Sequence, residues 1–246
     1  AIVIGHGFAL GYDATTVAAT WIYPDLGVIW PGYPRGPFTL PAEIQRRLLP
    51  AAYTCEGGAF TLSAWLEPAA NVGGDTFDYS LGRDVLHLSI TDAMGHGVAS
   101  ALIATLCVGS LRNTRRQGVS LLEQAAAANT ALSEYAPSVA DGAYATGLLG
   151  RLELRSGALT LVNAGHDAPY LARAGQVTPI QLPTCMPLGL FADEEYSTGN
   201  LMLEPGDRVV FVTDGMLERN SAALDLIAEI REHIEAALRE EDAAGE

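Results

Sequence analysis

Three aspartates stand where chemistry is most easily mounted: Asp75 in "NVGGDTFDYS", Asp92 in "LSITDAMGHG" and Asp214 in "VVFVTDG". Asp92 and Asp214 each close a run of apolar residues and precede a glycine-containing turn, so a rigid, dry strand would present a carboxylate at its tip. Asp75 follows Gly73 and Gly74. Carboxylates gathered in one place repel one another unless they are protonated or share cations, and hard oxygen donors select Mg2+ or Mn2+. The plainer alternative is that each aspartate caps its own turn, as Asp commonly does. For any one of the three taken alone, the turn is the better explanation.

The elements that would position these residues follow from periodicity and punctuation. Phe60, Leu62, Ala64 and Leu66 alternate in "FTLSAWLEP", and Val85 or Leu86 alternates with Leu88 and Ile90 in "VLHLSITD", as half-buried strands do. Asp75 is placed between those strands. Apolar residues at helical spacing run from Val98 to Leu111, with Arg112, Arg115 and Arg116 near the end and Gly118 as a stop. Basic residues there are read as complementing the helix dipole. "SLLEQAAAANTALSEYAP" is a second, Ala-rich helix. From Tyr144 the period becomes two: "YATGLLGRLEL", a Ser156-Gly157 turn, "ALTLVNAG", "PYLARAG" and "VTPIQL" form a meander. "DRVVFVTD" is a buried strand and "AALDLIAEIREHIEAALREE" a closing amphipathic helix. The order strands, helices, strands, helix predicts an α+β fold of antiparallel sheet covered by helices, not a parallel βαβ arrangement.

A chain of 246 residues, 49% hydrophobic, can bury a substantial core. Fourteen basic against twenty-nine acidic residues leave a net charge of −15, whose field repels nucleic acid and anionic membrane surfaces; a protein or cation partner suits it better. Cys55, Cys107 and Cys185 are odd in number and lack CxxC spacing, which fits a reducing cytoplasm. With no run of about eighteen apolar residues and no signal peptide at its start, the chain is expected to be cytoplasmic and free of the membrane. It begins at Ala1 rather than Met and is read as a piece of something larger. Prolines at 31, 34, 37 and 41 in "PGYPRGPFTLP" mark a linker, so residues 1–38 are assigned to an N-terminal segment, the remnant of a sensor region, and 39–246 to the main domain. "LPAEIQRRLLP" then gives a short amphipathic helix, with Pro41 at its first position, Ile44 and Leu48 on one face and Pro50 as its stop.

The blocks "LPAEIQRRLLP", "LEPAANVGGDTFDYS", "LHLSITDAMGHGVASALIATLCVGSLR", "LVNAGHDAPYLAR", "MPLGLF" and "LEPGDRVVFVTDGMLERN" span roughly Thr39 to Asn220. In order and spacing they resemble the bacterial SpoIIE-like, or RsbU-like, group of metal-dependent protein phosphatases of the PPM superfamily, related to the type-2C enzymes. The resemblance implies an α-β-β-α sandwich of two mainly antiparallel sheets flanked by helices. It implies hydrolysis of phosphoserine or phosphothreonine on a regulatory protein, a STAS-type anti-sigma factor antagonist, by water activated between two Mn2+ or Mg2+ ions. By motif, Asp92 resembles the carboxylate bridging both ions, the Ala93 carbonyl a neighbouring ligand, Asp75 a ligand to one ion and Asp214 a ligand to the other. Asp92 and Asp214 are thereby the catalytic candidates. Gly73 and Gly74 are read as letting the backbone turn tightly so that Asp75 aims at the metal pair. In this group the N-terminal helix is associated with switching and dimer formation, so Ile44, Gln45 and Leu48 are regulatory candidates and a homodimer would form through that helix. A plain packing helix is the alternative.

Other features are weighed against blander readings. His96 lies four residues after Asp92, whereas the type-2C histidine lies two after, so a structural bond in the turn is favoured over general acid catalysis. His166 in "AGHDAP" is likewise assigned to structure. The acidic "DD" segment and closing strand usual in the group are not found before "LREEDAAGE", and Asp242 is given no role. A catalytically impaired pseudophosphatase, acting as a phosphoprotein-binding or signalling module, is therefore the second hypothesis. A diguanylate cyclase, whose signature also opens with Gly-Gly-Asp, is the remote third, since Thr76 stands where a second acid is expected.

Overall fold

Alternating sequence becomes two facing sheets. The computed structural model describes residues 7–12, 44, 47–52, 54–57, 60–65, 74–135, 138 and 142–213. The strands are β1 (Gly7–Tyr12), β2 (Thr54–Glu56), β3 (Thr61–Trp65), β4 (Thr76–Leu81), β5 (Val85–Ala93), β6 (Ala145–Glu153), β7 (Ala158–Ala164), β8 (Tyr170–Arg173), β9 (Gln176–Pro179), β10 (Thr184–Cys185), β11 (Thr198–Met202) and β12 (Asp207–Val212). Helices α1 (Val98–Gln117) and α2 (Leu121–Tyr135) separate β5 from β6. One sheet has the order β2-β3-β1-β12-β8-β9 and the other β10-β7-β6-β5-β4, with β11 also paired to β7. Every pairing is antiparallel except β10 with β7.

The two faces of β5 do different work. Leu86, Leu88 and Ile90, with Phe77 of β4 and Leu148 and Leu152 of β6, meet Phe60, Leu62, Val209 and Phe211 of the opposite sheet in one buried cluster. Each such side chain, fully buried, contributes on the order of 1.5–3 kcal/mol. The other face, through Ala93, Ala145, Leu149 and Val162, meets Ile103, Cys107 and Leu111 of α1 and Ala125, Ala128 and Leu132 of α2. Helix layer, sheet and sheet are the α+β arrangement that the order of elements predicts, stacked as the sandwich that the family resemblance implies. The expected closing helix lies outside the described residues.

Local chemistry sets the helix ends. Gly118 takes the left-handed conformation (φ 74°) just after α1 and its N–H donates to the Arg115 carbonyl. Ahead of α2, the Ser120 N–H donates to Glu123 Oε2 (2.8 Å) and the Glu123 N–H to Ser120 Oγ (3.3 Å), a capping box that also holds the Glu123 carboxyl below its usual range.

Several expectations are corrected here. Asp75 does not lie in a simple connection between β3 and β5, because Thr76–Leu81 is itself a strand, pairing with β5 from Thr76↔Thr91 to Leu81↔Leu86. Arg112 and Arg115 do more than complement a dipole: both bind the buried Asp78 carboxylate of β4, Arg112 Nη2 at 2.8 Å and Arg115 Nη1 at 2.9 Å. Arg112 also donates to the Leu48 carbonyl, where the segment containing Ile44, Arg47 and Leu48 is helical. Within the segment placed ahead of the domain, Gly7–Tyr12 lie as β1 between β3 and β12. Among the described residues, no helix is long and apolar enough to cross a membrane.

Candidate metal centre

The face between the sheets carries its period into the site. Two residues beyond Ile90 on β5 comes Asp92; two residues before Phe77 on β4 comes Asp75; two residues beyond Phe211 on β12 comes Thr213. Three hydrophobic rows thus end in polar groups at one end of the sandwich. The pair Thr76↔Thr91, together with the Ala93 N–H donating to the Gly74 carbonyl (3.3 Å), sets Asp75 across from Asp92. That position is a non-hydrogen-bonded pair, the closer of the two antiparallel arrangements, in which Cβ atoms lie about 4.5–5.5 Å apart. Asp75 is 8% exposed, and Thr213 Oγ1 donates to its Oδ2 at 3.3 Å. Asp92 is half-buried and faces Thr146 across β6.

Like charges directly opposite in a sheet are destabilising, and burial removes the water that would soften their repulsion. A divalent cation relieves both. The donor set fits one: two carboxylates and a backbone carbonyl, all hard oxygen. Gly74 lets the two strands close up here. A Cβ built at Gly74 would lie 2.1 Å from the Ala93 carbonyl oxygen and 2.7 Å from the Ala93 Cβ. Glycine is therefore required because the start of β4 presses on the end of β5; its φ is not in the left-handed region, so the need is for space beside Ala93.

Gly73, Gln45 and Asp214 lie outside the described residues, Asp214 directly after Thr213 in sequence. Among the described residues, no group of three or more His, Cys, Asp or Glu side chains gathers into a metal site; what lies together there is the pair Asp75 and Asp92, beside Ala93. His96 is exposed in the β5–α1 connection, between Gly95 (φ 86°) and Gly97 (φ 81°).

Around the aspartates lies a hydrogen-bonded shell that periodicity did not reveal. Thr76 Oγ1 and Thr91 Oγ1 are 2.6 Å apart on the helix side of the sheet. His166 is buried, its Nδ1 2.8 Å from Thr146 Oγ1 and its Nε2 3.0 Å from the Val212 carbonyl. The "NAGH" spacing was the available signal: Asn163 Oδ1 accepts from the His166 N–H and Asn163 Nδ2 donates to the His166 carbonyl. The cysteines are all free, and burial pushes the Cys107 thiol up to about 12, so it serves the core and not the chemistry.

Comparison with known proteins places the chain in a family and agrees with the fold. The family model described as Stage II sporulation protein E (SpoIIE) matches residues 82–245. Phosphoserine phosphatase RsbU of Bacillus subtilis is 22% identical over 178 residues, covering 72% of this chain and 52% of the relative. The chain spans between 32% and 52% of the length of the curated relatives it matches. Among solved structures, the RsbU and RsbW domains of Rv1364c from Mycobacterium tuberculosis superpose with a TM-score of 0.56 at 29% identity, covering 66% of this chain and 44% of that one. The SiaA-PP2C domain of Pseudomonas aeruginosa gives 0.57 at 20% identity, covering 68% and 72%, which shows the same sandwich fold.

Proposed function

The chain belongs to the SpoIIE family, and on that premise we propose that it is a metal-dependent protein serine/threonine phosphatase acting on a phosphorylated regulatory protein. The observation that carries this reading is the Asp75–Asp92 cross-strand pair, set where Gly74 lets the start of β4 pack closely on Ala93 at the end of β5. Asp92 and Asp75, with Ala93 through its carbonyl and Asp214 through its carboxylate, would hold two Mn2+ or Mg2+ ions. The cations supply a water of lowered pKa and positive charge for the phosphoryl oxygens. The protein's own part is to mount the carboxylates on strands whose apolar rows exclude water and to restrain Asp75 through Thr213. No covalent step on a side chain is required.

A STAS-type anti-sigma factor antagonist is the proposed substrate, supported by the phosphoserine phosphatase named among the relatives. We further place the protein in the cytoplasm and assign Ile44, Gln45 and Leu48 to a regulatory and dimer-forming helix, supported by the bond from Arg112 to the Leu48 carbonyl. The test is Mn2+-dependent release of phosphate from a phosphoserine-bearing STAS protein, with Asp92→Asn as control. Release lost in the variant supports the enzyme. Binding of the phosphoprotein without release by the unsubstituted protein would favour the phosphoprotein-binding module instead.

A further inference from the structure

We propose that His166 is a positioning residue of this site, locking the two sheets in the alignment that brings the end of β12 to Asp75. The inference rests on the cation reading above. Among the described residues the two sheets share no backbone pairing, and the hydrophobic cluster between them is non-directional, so it resists separation more than sliding. The site nevertheless draws on both: Asp75 and Asp92 belong to one sheet, Thr213 to the end of the other. Directional bonds must fix the offset.

His166 supplies them at that end. Its Nε2 lies 3.0 Å from the Val212 carbonyl, the residue before Thr213, and its Nδ1 2.8 Å from the hydroxyl of Thr146, the residue facing Asp92. A carbonyl can only accept, so Nε2 carries the proton; in the neutral ring Nδ1 then accepts from Thr146. The imidazole bridges one sheet to the other with both nitrogens engaged. Its backbone is held on both sides by Asn163, through bonds of 2.8 and 2.9 Å, so the segment that carries the ring is fixed while the two ring bonds hold the imidazole itself. From this clamped point the chain runs through Thr213, whose hydroxyl donates to Asp75. Groups that orient metal ligands typically change metal affinity about 10–100-fold when removed.

Two readouts on the full chain test the proposal: Mn2+ titration calorimetry, and amide hydrogen exchange of metal-free protein. His166→Ala is expected to weaken Mn2+ binding at least about tenfold and to speed exchange at Val212 and Thr213 but not in β5. His166→Gln, whose amide N–H can reach the same carbonyl, is expected to recover affinity to within about threefold, and Thr146→Val to fall between. Wild-type affinity in His166→Ala, or no difference between the Gln and Ala variants, would overturn the proposal. Should His166→Ala not fold, unchanged affinity in Thr146→Val would overturn it as well. Absence of Mn2+ binding by the unsubstituted protein would instead remove the cation reading, and exchange at Val212 would still judge the clamp.

Discussion

Asp92 lies where the apolar row of β5 gives out, and Asp75 where that of β4 begins, so each carboxylate is held by a strand that has nowhere else to go. Replacing either by Asn removes one hard donor and one charge while keeping size. Asp92→Asn is expected to lose Mn2+ binding at least about tenfold with little change in thermal stability, since the variant also removes a repulsion. Gly74→Ala acts by volume: a methyl 2.1 Å from the Ala93 carbonyl must push β4 away from β5, which should cost about 1–3 kcal/mol in urea unfolding and weaken cation binding together. At this scale the position of Asp92 was legible, because a strand that reaches an Asp before a glycine-containing turn leaves a mark in the sequence, and that of Asp75 through the glycines before it. Thr146, Thr213 and the bonds of His166 were not, because partners 20 and 46 residues apart leave no period to read.

At the scale of elements, β4 is tied to α1 by charge. Asp78 is buried, and Arg112 and Arg115 reach it from the helix, with Arg112 extending to the Leu48 carbonyl. Removing one partner of a buried ion pair leaves an uncompensated charge, so Asp78→Ala should destabilise the domain by about 3 kcal/mol or more, measured by urea unfolding. The same pairing explains why β4 escaped notice: Asp78 and Ser80 give its helix-facing side a polar look, and the arginines near the far end of α1 make that side suitable for burial. Helix α1, its Gly118 stop, α2 and the separate strands β6 to β9 were legible, since each combines strong periodicity with its own end signal; the single meander expected of those strands is corrected, because β6 and β7 pair in one sheet and β8 and β9 in the other, the chain crossing between sheets after β7. Short strands such as β2 and β10 exist only through their partners, so no local signal announces them.

For the whole molecule, two sheets and a helical layer leave one titratable group in an awkward place. His87 faces α1 from β5, and burial, then Arg115 and Arg151, hold its pKa below the ordinary 6.5. The folded state therefore binds this proton less readily than the unfolded chain. Its contribution is full above 6.5 and is lost as pH falls through 6.5 toward the lower folded value. Urea midpoints should drop between about pH 7.5 and about pH 5.5, and His87→Gln should flatten that part of the slope. The net charge of −15 should make divalent cation binding weaken as salt rises. Antiparallel sheet covered by helices was legible in the order of elements and the sandwich in the family resemblance, whereas the interleaving of β1 between β3 and β12 was in neither, because a strand joining from far along the chain is placed by topology and not by spacing. The central claim is that two facing carboxylates at the open end of the sandwich share divalent cations. The direct measurement is an electron paramagnetic resonance titration with Mn2+ of the unsubstituted protein beside Asp75→Asn and Asp92→Asn. Saturable loss of the free-ion signal, abolished by either substitution, is the result expected; equal uptake by all three proteins would contradict it.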